Sequence, residues 1–298
     1  MGTYDKSTRL IFAITLIVSC LFAASCVTPS TPKPAEQAPK PPVPRTEIVF
    51  AGSGVNIPII VNLVKDFQKE SQTKILVPDS IGSAGAIKAI LEGDIDLGLT
   101  SRPLSPAELT AGIKQIPYAK TSIIIAVHPS VPEVDISAAD ILAIYKGEKR
   151  QWSDGSIIVP MLMYKGDAVN TAVIRYIPEL EVVLNQSFVE NRWKQHFNDL
   201  AMAKAIASIP GSIGFSDSSY LEVPTLQMKA LRLDGVAPSQ KNLETGLYKM
   251  SRVMSFVYKG ALDPRVKSFL DFIFSSKGKT IILSNDGIPI GENLNEKR

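Results

Sequence analysis

Thiols and imidazoles are nearly absent from this chain. Its 298 residues hold two cysteines and two histidines, and both cysteines, Cys20 and Cys26, fall in the first 26 positions. The body that follows therefore has no thiol for a disulfide, a zinc centre or a nucleophile. His128 stands beside Pro129 and His196 beside Trp193 and Phe197. No acid or nucleophile pattern surrounds either, so both read as structural or surface residues. Nucleotide loops are missing as well: Gly52-Ser53-Gly54 lacks the third glycine of a dinucleotide motif, and no Gly-Lys-Ser/Thr loop occurs. Charge of one sign is also scarce. A net charge of +3 is too small for the concentrated basic face that nucleic acid requires. The expectation is a chain that is not an enzyme, carries no cofactor or metal, and binds no nucleic acid.

What is present starts with a targeting segment. Lys6 and Arg9 precede a nearly unbroken apolar run over residues 10–22, too short to span a bilayer comfortably. It ends in Ala23-Ala24-Ser25-Cys26, similar to a bacterial lipobox in which the cysteine is lipidated. Cys26 is preferred over Cys20 because polar, proline-rich sequence follows it; a plain signal peptide or an anchor helix is the alternative. Residues 28–45 then hold seven prolines and almost no large apolar side chains. Such a stretch cannot bury enough surface to fold, and proline stiffens it, so it reads as a tether.

The body spans about residues 47–290, a length that suits two lobes better than one core. An apolar strand at 48–50 runs into Gly52-Ser53-Gly54-Val55-Asn56, and an amphipathic helix follows over 57–69. Pro58 sits in its first turn, where proline is tolerated. Gly82-Ser83-Ala84-Gly85 opens a second helix after a strand at 75–77, and Thr100-Ser101-Arg102-Pro103 follows a strand at 95–99. Small, hydroxylated residues at a helix start leave N–H groups free to face an anion, and the helix dipole favours negative charge there. Arginine past a strand end supplies a planar, permanent charge. Ser105-Pro106-Ala107-Glu108 is a capping box. Alternating strands and helices predict an α/β fold, with ligands at the carboxyl ends of the strands.

The second half repeats the theme. A buried strand is expected at 122–127, a helix from Ser137, a strand at 157–163, and a helix from about Thr171 to Leu184. Between the last two lies Lys165-Gly166-Asp167-Ala168-Val169-Asn170, with cationic and neutral donors; a solvated loop with a helix cap fits it equally well. Helices are expected at 186–199 and 201–208, strands at 211–215, 231–233 and 253–258, and a helix at 266–276.

The succession Gly52-Ser53-Gly54, Ile81-Gly82-Ser83-Ala84-Gly85, Ser101-Arg102-Pro103-Leu104, Ile144-Tyr145-Lys146-Gly147, Pro210-Gly211-Ser212-Ile213-Gly214-Phe215 and Asp286-Gly287-Ile288-Pro289 resembles the phosphate-binding protein of bacterial ABC transporters. The resemblance implies the type II periplasmic binding protein fold, two α/β lobes with mixed sheets, flanking helices and a hinge. The expected division is a signal peptide over 1–25, a tether over 26–46, lobe 1 over 47–126 plus 223–298, and lobe 2 over 127–222. It further implies ligand contacts from Ser53, Asn56, Ile57, Ser83, Ser101, Arg102, Lys165, Asp167, Asn170 and Thr171. Lys165 stands where the family has arginine, Ser101 where many phosphate binders have aspartate, and Val169-Asn170-Thr171 where they have Ser-Gly-Thr.

The function implied is capture of inorganic phosphate, outside the cytoplasm and lipid-anchored through Cys26 to a bacterial membrane, for a membrane ABC permease, with a monomer sufficing. A binder of another oxyanion or a phosphorylated solute, or a degenerate sensor subunit, is the alternative. Cys26→Ser should abolish incorporation of labelled palmitate during bacterial expression. Undiminished labelling would remove Cys26 as the acceptor.

Overall fold

A computed structural model describes residues 46–291. The targeting segment, Cys20, Cys26 and the proline-rich stretch lie outside the described residues. β1 (Ile48–Gly52) is almost wholly buried and leads through one 3-10 turn into α1 (Ile57–Phe67). Ile59, Ile60, Leu63, Val64 and Phe67 form the buried stripe of α1, the helical period that the sequence showed. β2 (Ile75–Leu76) precedes α2 (Gly82–Glu92), which stops at the left-handed Gly93, and then comes β3 (Leu97–Thr100). α3 (Pro106–Thr110) starts with the anticipated capping box: Ser105 accepts from the Glu108 amide while Glu108 reaches back to the Ser105 amide.

β4 (Ile113–Val127) is far longer than expected from its SIIIAV end. β5 (Asp135–Ile136) and α4 (Ala138–Lys146) follow, the helix capped by Ser137 and Asp140. β6 (Val159–Met163) leads to α5 (Ala168–Tyr176). The helix expected to reach Leu184 breaks here, because Pro178 disfavours helical geometry at Ile177. α6 (Leu180–Glu190) then ends at Asn191, whose φ of 49° is left-handed. The helix expected over 186–199 is thus replaced beyond Asn191 by β7 (Lys194–His196), which pairs with β6 and carries His196 in a strand.

α7 (Asp199–Ser208), β8 (Ser212–Asp217) and a 3-10 turn at Ser218–Glu222 come next. β9 (Lys229–Leu233), α8 (Gln240–Glu244), β10 (Ser251–Lys259), α9 (Pro264–Phe274), α10 (Ser276–Leu283) and β11 (Ile288–Pro289) complete the order. Among the described residues no helix is long and apolar enough to cross a membrane.

The strands join in the order β2-β1-β3-β10-β4-β8-β6-β7, with β9 and β11 also paired to β4. β1 runs parallel to β2 and β3, and β6 runs parallel to β7 and β8; β10 lies antiparallel to β3 and β4. The fold is therefore mixed α/β. β4 serves two partners in succession. Up to Ser122 it pairs with β10, and from Ile123 onward it pairs with β8.

Two large cores flank that change of partner. One gathers β1, α1, β3, α9 and residues up to Ala119, and resumes at Met254. The other begins at Ile123 and ends at Met250. Leu231, Leu233, Tyr248 and Met250 pack in the second core, so core membership changes at 119/123 and 250/254, whereas the sequence reading set the lobe boundaries at 126/127 and 222/223. The strands, rather than the loops after them, carry the chain from one core to the other.

Phe269 is fully buried in the first core, with ring centroids 4.9 Å from Phe50, 5.3 Å from Phe67 and 6.5 Å from Phe256. Phe269→Ala should lower unfolding free energy by about 3–5 kcal/mol, the lost transfer energy plus the cavity left behind. Urea denaturation measures it. A loss below about 1 kcal/mol would mean that the first core collapses around the gap.

Candidate functional site

The loop after β1 is shaped by two close approaches. A Cβ on Gly52, whose φ is 154°, would stand 2.0 Å from the carbonyl oxygen of Leu99 in β3. A Cβ on Gly54 would stand 2.8 Å from a carboxylate oxygen of Asp199. Glycine at both positions lets β1 reach β3 and lets a carboxylate from the second core reach the loop. Between them Ser53 is buried, and its hydroxyl lies 2.9 Å from that of Ser101. The Ser101 amide donates to the Ser83 hydroxyl at 3.2 Å, which ties the end of β3 to the first turn of α2. Ser80 donates to the Gly52 carbonyl and accepts from the Gly82 amide. Four serines thus hold three loops together.

Arg102 is committed. Its guanidinium makes a two-pronged pair with Glu108, at 2.9 and 2.6 Å, which pulls the Glu108 carboxyl down to about 2.

Three further elements contribute from the facing side. Asp167 caps α5 by accepting the Val169 amide at 2.8 Å, and burial raises its pKa. Asn198 caps α7 by accepting the Ala201 amide, so Asp199 begins that helix. Arg252 enters from β10 at the crossing between the cores and is 6% exposed. Its Nε lies 3.1 Å from Asp217 and its Nη1 lies 3.7 Å from Asp199. Asp217 in turn accepts from the hydroxyls of Thr121 and Ser219. Nη2 of Arg252 has no hydrogen-bond partner among the described residues, and neither does the buried Ser255 hydroxyl.

Burial pushes the Asp199 carboxyl up to about 7; Arg252 opposes that rise and Asp167 and Asp217 add to it.

These groups surround a cavity of about 70 Å³. Ser53, Ser83, Ser101 and Arg102 line it from one side, and Asp167, Asp199 and Arg252 from the other. Tyr164 and Phe197, stacked at 6.2 Å, stand at its edge. A larger cavity of about 570 Å³ shares Ser101, Arg102, Gly166, Ala168 and Arg252 with it. Among the described residues no group of three or more His, Cys, Asp or Glu has the arrangement to hold a metal ion.

Of the residues singled out from sequence, the structure brings Ser53, Ser83, Ser101, Arg102 and Asp167 to the small cavity. The others stand elsewhere. Asn56 is fully buried and its Oδ1 accepts the Tyr118 hydroxyl at 2.7 Å. Ile57 lines a separate cavity beside α7. Asn170 donates back to the Tyr164 carbonyl at 3.0 Å, holding its own loop, and Thr171 lines the larger cavity. Lys165 is exposed on a turn and lines none of these cavities; the buried cation comes from Arg252 instead.

Arg252 and Asp199 were not found from sequence. One signal existed for the first: Arg252 shares strand parity with Met250 and Met254, which places an arginine on a core face. None exists for Asp199, which the sequence pattern places at the end of a helix over 186–199 rather than at the start of α7.

The family model for the PBP superfamily domain matches residues 34–277. The chain is 23% identical over 295 residues to the phosphate-binding protein PstS of Bacillus subtilis, covering 96% of this chain and 95% of that protein. It is 26% identical over 253 residues to Protein SphX of Synechococcus elongatus, covering 79% and 75%. Among solved structures, it superposes on a phosphate ABC transporter substrate-binding protein with bound phosphate from Clostridium perfringens. That match has a TM-score of 0.69 and 25% identity, over 82% of this chain and 100% of that one.

Asp199 sets a pH dependence whose sign is fixed. Between its ordinary value of 3.8 and its folded value of about 7, the unfolded chain is ionised while the folded chain holds a proton. Stability from this group is therefore greatest at low pH and falls as pH rises through that window. Asn mimics the protonated acid. The Tm of Asp199→Asn relative to the parent should climb from about pH 4 to about pH 8. A difference that stays flat with pH would mean that the carboxyl is ionised in the folded state.

Proposed function

The chain belongs to the PBP superfamily, and from that premise we propose that it is an extracytoplasmic solute-binding protein that captures phosphate. The observation that carries this reading is the cavity of about 70 Å³ where the Ser53, Ser83 and Ser101 hydroxyls face buried Arg252. Its volume suits one tetrahedral oxyanion. The Ser83 oxygen already accepts from the Ser101 amide, so its hydrogen is free for a ligand oxygen. The start of α2 and the buried charge of Arg252 on the cavity's lining favour an anion there. Asp167 and Asp199 favour phosphate over sulfate where they are ionised, the state that rising pH populates. A carboxylate accepts the proton that phosphate keeps, whereas sulfate has no proton to give it.

The same proposal covers the surroundings. The two cores act as lobes, and the paired β4 and β10 crossings near Thr121 and Arg252 act as the hinge. Closure about that hinge brings Asp167 and Asp199 against the serine loops and excludes water, which strengthens each charge-assisted bond. Lipidation at Cys26, the tether over residues 26–46 and delivery by a monomer to an ABC permease belong to this reading. The two relatives named for phosphate binding support it.

Calorimetry on residues 46–291 with phosphate, sulfate and molybdate tests it. Phosphate is expected to bind at least about tenfold tighter than sulfate, and Ser83→Ala to weaken phosphate by about tenfold, the worth of one hydrogen bond to a charged group. Lys165→Ala should leave affinity within about twofold. No heat from any of the three at roughly millimolar concentration would refute the oxyanion reading.

A further inference from the structure

Tyr164 follows β6 in the second core, and its backbone is pinned from both directions. Its amide donates to the His196 carbonyl at 2.9 Å, and its carbonyl accepts from the Asn170 side chain at 3.0 Å. The strand register pairs Met163 with His196, so the next residues, Tyr164 and Phe197, stand side by side at the strand ends. Their rings stack with centroids 6.2 Å apart and 22° between planes, although Phe197 is 78% exposed. From there the phenol of the half-buried Tyr164 reaches toward α2. A Cβ on Gly82, the first residue of that helix, would stand 3.9 Å from the phenol oxygen. Tyr164 lines the small cavity together with Ser53, Ser83, Ser101, Asp167 and Asp199. Its hydroxyl makes no hydrogen bond among the described residues. Burial, with the carboxylates of Asp167 and Asp199, raises its pKa, so the phenol keeps its proton and remains a donor.

We propose that Tyr164 is a further ligand-binding residue, its hydroxyl donating to the oxyanion at the start of α2, and that Phe197 positions its ring. The inference rests on the reading of the small cavity as an oxyanion site. Ser53, Ser83 and Ser101 approach that anion from one side, and Asp167 and Asp199 face them from the other. An ionised carboxylate accepts but cannot donate, so it serves only the one ligand oxygen that carries a proton. The phenol adds a donor on the acidic side without adding charge, and a hydrogen bond to a charged ligand is the strong kind. Tyr164 therefore contributes affinity for an oxyanion, while the two carboxylates govern which oxyanion is chosen. Phe197 acts through Tyr164. Stacked rings on neighbouring strand ends restrict each other, which keeps the phenol aimed at the helix start rather than out into solvent.

Calorimetric titration of the protein with inorganic phosphate decides the matter, run in parallel on Tyr164→Phe, Phe197→Ala, Phe197→Tyr and Ser83→Ala. The Tm of each ligand-free variant is measured alongside. Tyr164→Phe, which removes only the hydroxyl, should bind phosphate about tenfold more weakly than the parent with its Tm unchanged. Phe197→Ala should weaken binding by about threefold, and Phe197→Tyr, which keeps a ring there, should restore it. Undiminished affinity in Phe197→Ala refutes the part given to Phe197. A Tyr164→Phe variant within about twofold of the parent, while Ser83→Ala weakens, overturns the Tyr164 contact and leaves the oxyanion reading standing. A Tyr164→Phe variant whose Tm falls together with its affinity also overturns it, because the hydroxyl then holds the protein rather than the ligand. If phosphate gives no heat with the parent, the oxyanion reading falls and this contact falls with it.

Discussion

A guanidinium buried where two strands cross between cores is the constraint on which the rest of this structure depends. Arg252 sits on β10 opposite Thr121 of β4, with Asp217 beneath it and Asp199 beside it. A cation taken so far out of water is tolerable only with carboxylates in reach, and removing one partner of a buried pair typically costs about 3–5 kcal/mol. That requirement pins β8 to both crossing strands, since Asp217 also accepts from Thr121. It also draws the start of α7 toward the loop after β1, where Gly54 leaves room for the Asp199 carboxylate. The position of the site follows from where this charge is balanced.

Around that charge the two sides of the small cavity are built in different ways. The first core offers hydroxyls and amides held by one another, so Ser53, Ser80, Ser83 and Ser101 form a fixed cradle without formal charge. The second core offers carboxylates, two of them raised by burial, and Arg252 stands between. Neutral donors facing acidic acceptors suit a ligand that has both oxygens to accept and a proton to give. Arg102, by contrast, is held so firmly by Glu108 that it shapes the wall more than it balances a ligand.

Much of the cradle was legible in the sequence because its geometry is local. Gly82-Ser83 at a helix start, Ser101 past a strand end and the Ser105–Glu108 box each declare themselves within a few residues, and the structure keeps all three. The facing side was not legible, because nothing local distinguishes Arg252 or Asp199 as site residues; they meet only after β10 crosses between cores and α7 starts anew. Lys165 shows the converse. Its neighbours Asp167 and Asn170 mark a loop that caps a helix, yet the lysine itself points to water on the turn. The core boundaries differ from the expected lobe limits for a related reason: a strand as long as β4 belongs to two cores, while the sequence shows one apolar run over residues 122–127.

The interleaving of the cores has a consequence for inheritance. The chain builds the first core up to Ala119, the second from Ile123 to Met250, and then returns to the first at Met254. Any single crossover between related genes within that span assembles the first core from two parents, and it separates the serines of residues 53–101 from Arg252. Ligand preference in such a scaffold cannot be exchanged as a block without also testing the packing of a core. Divergence at the site must proceed chiefly by point replacement, one wall residue at a time, with Arg252 and its carboxylates changing last.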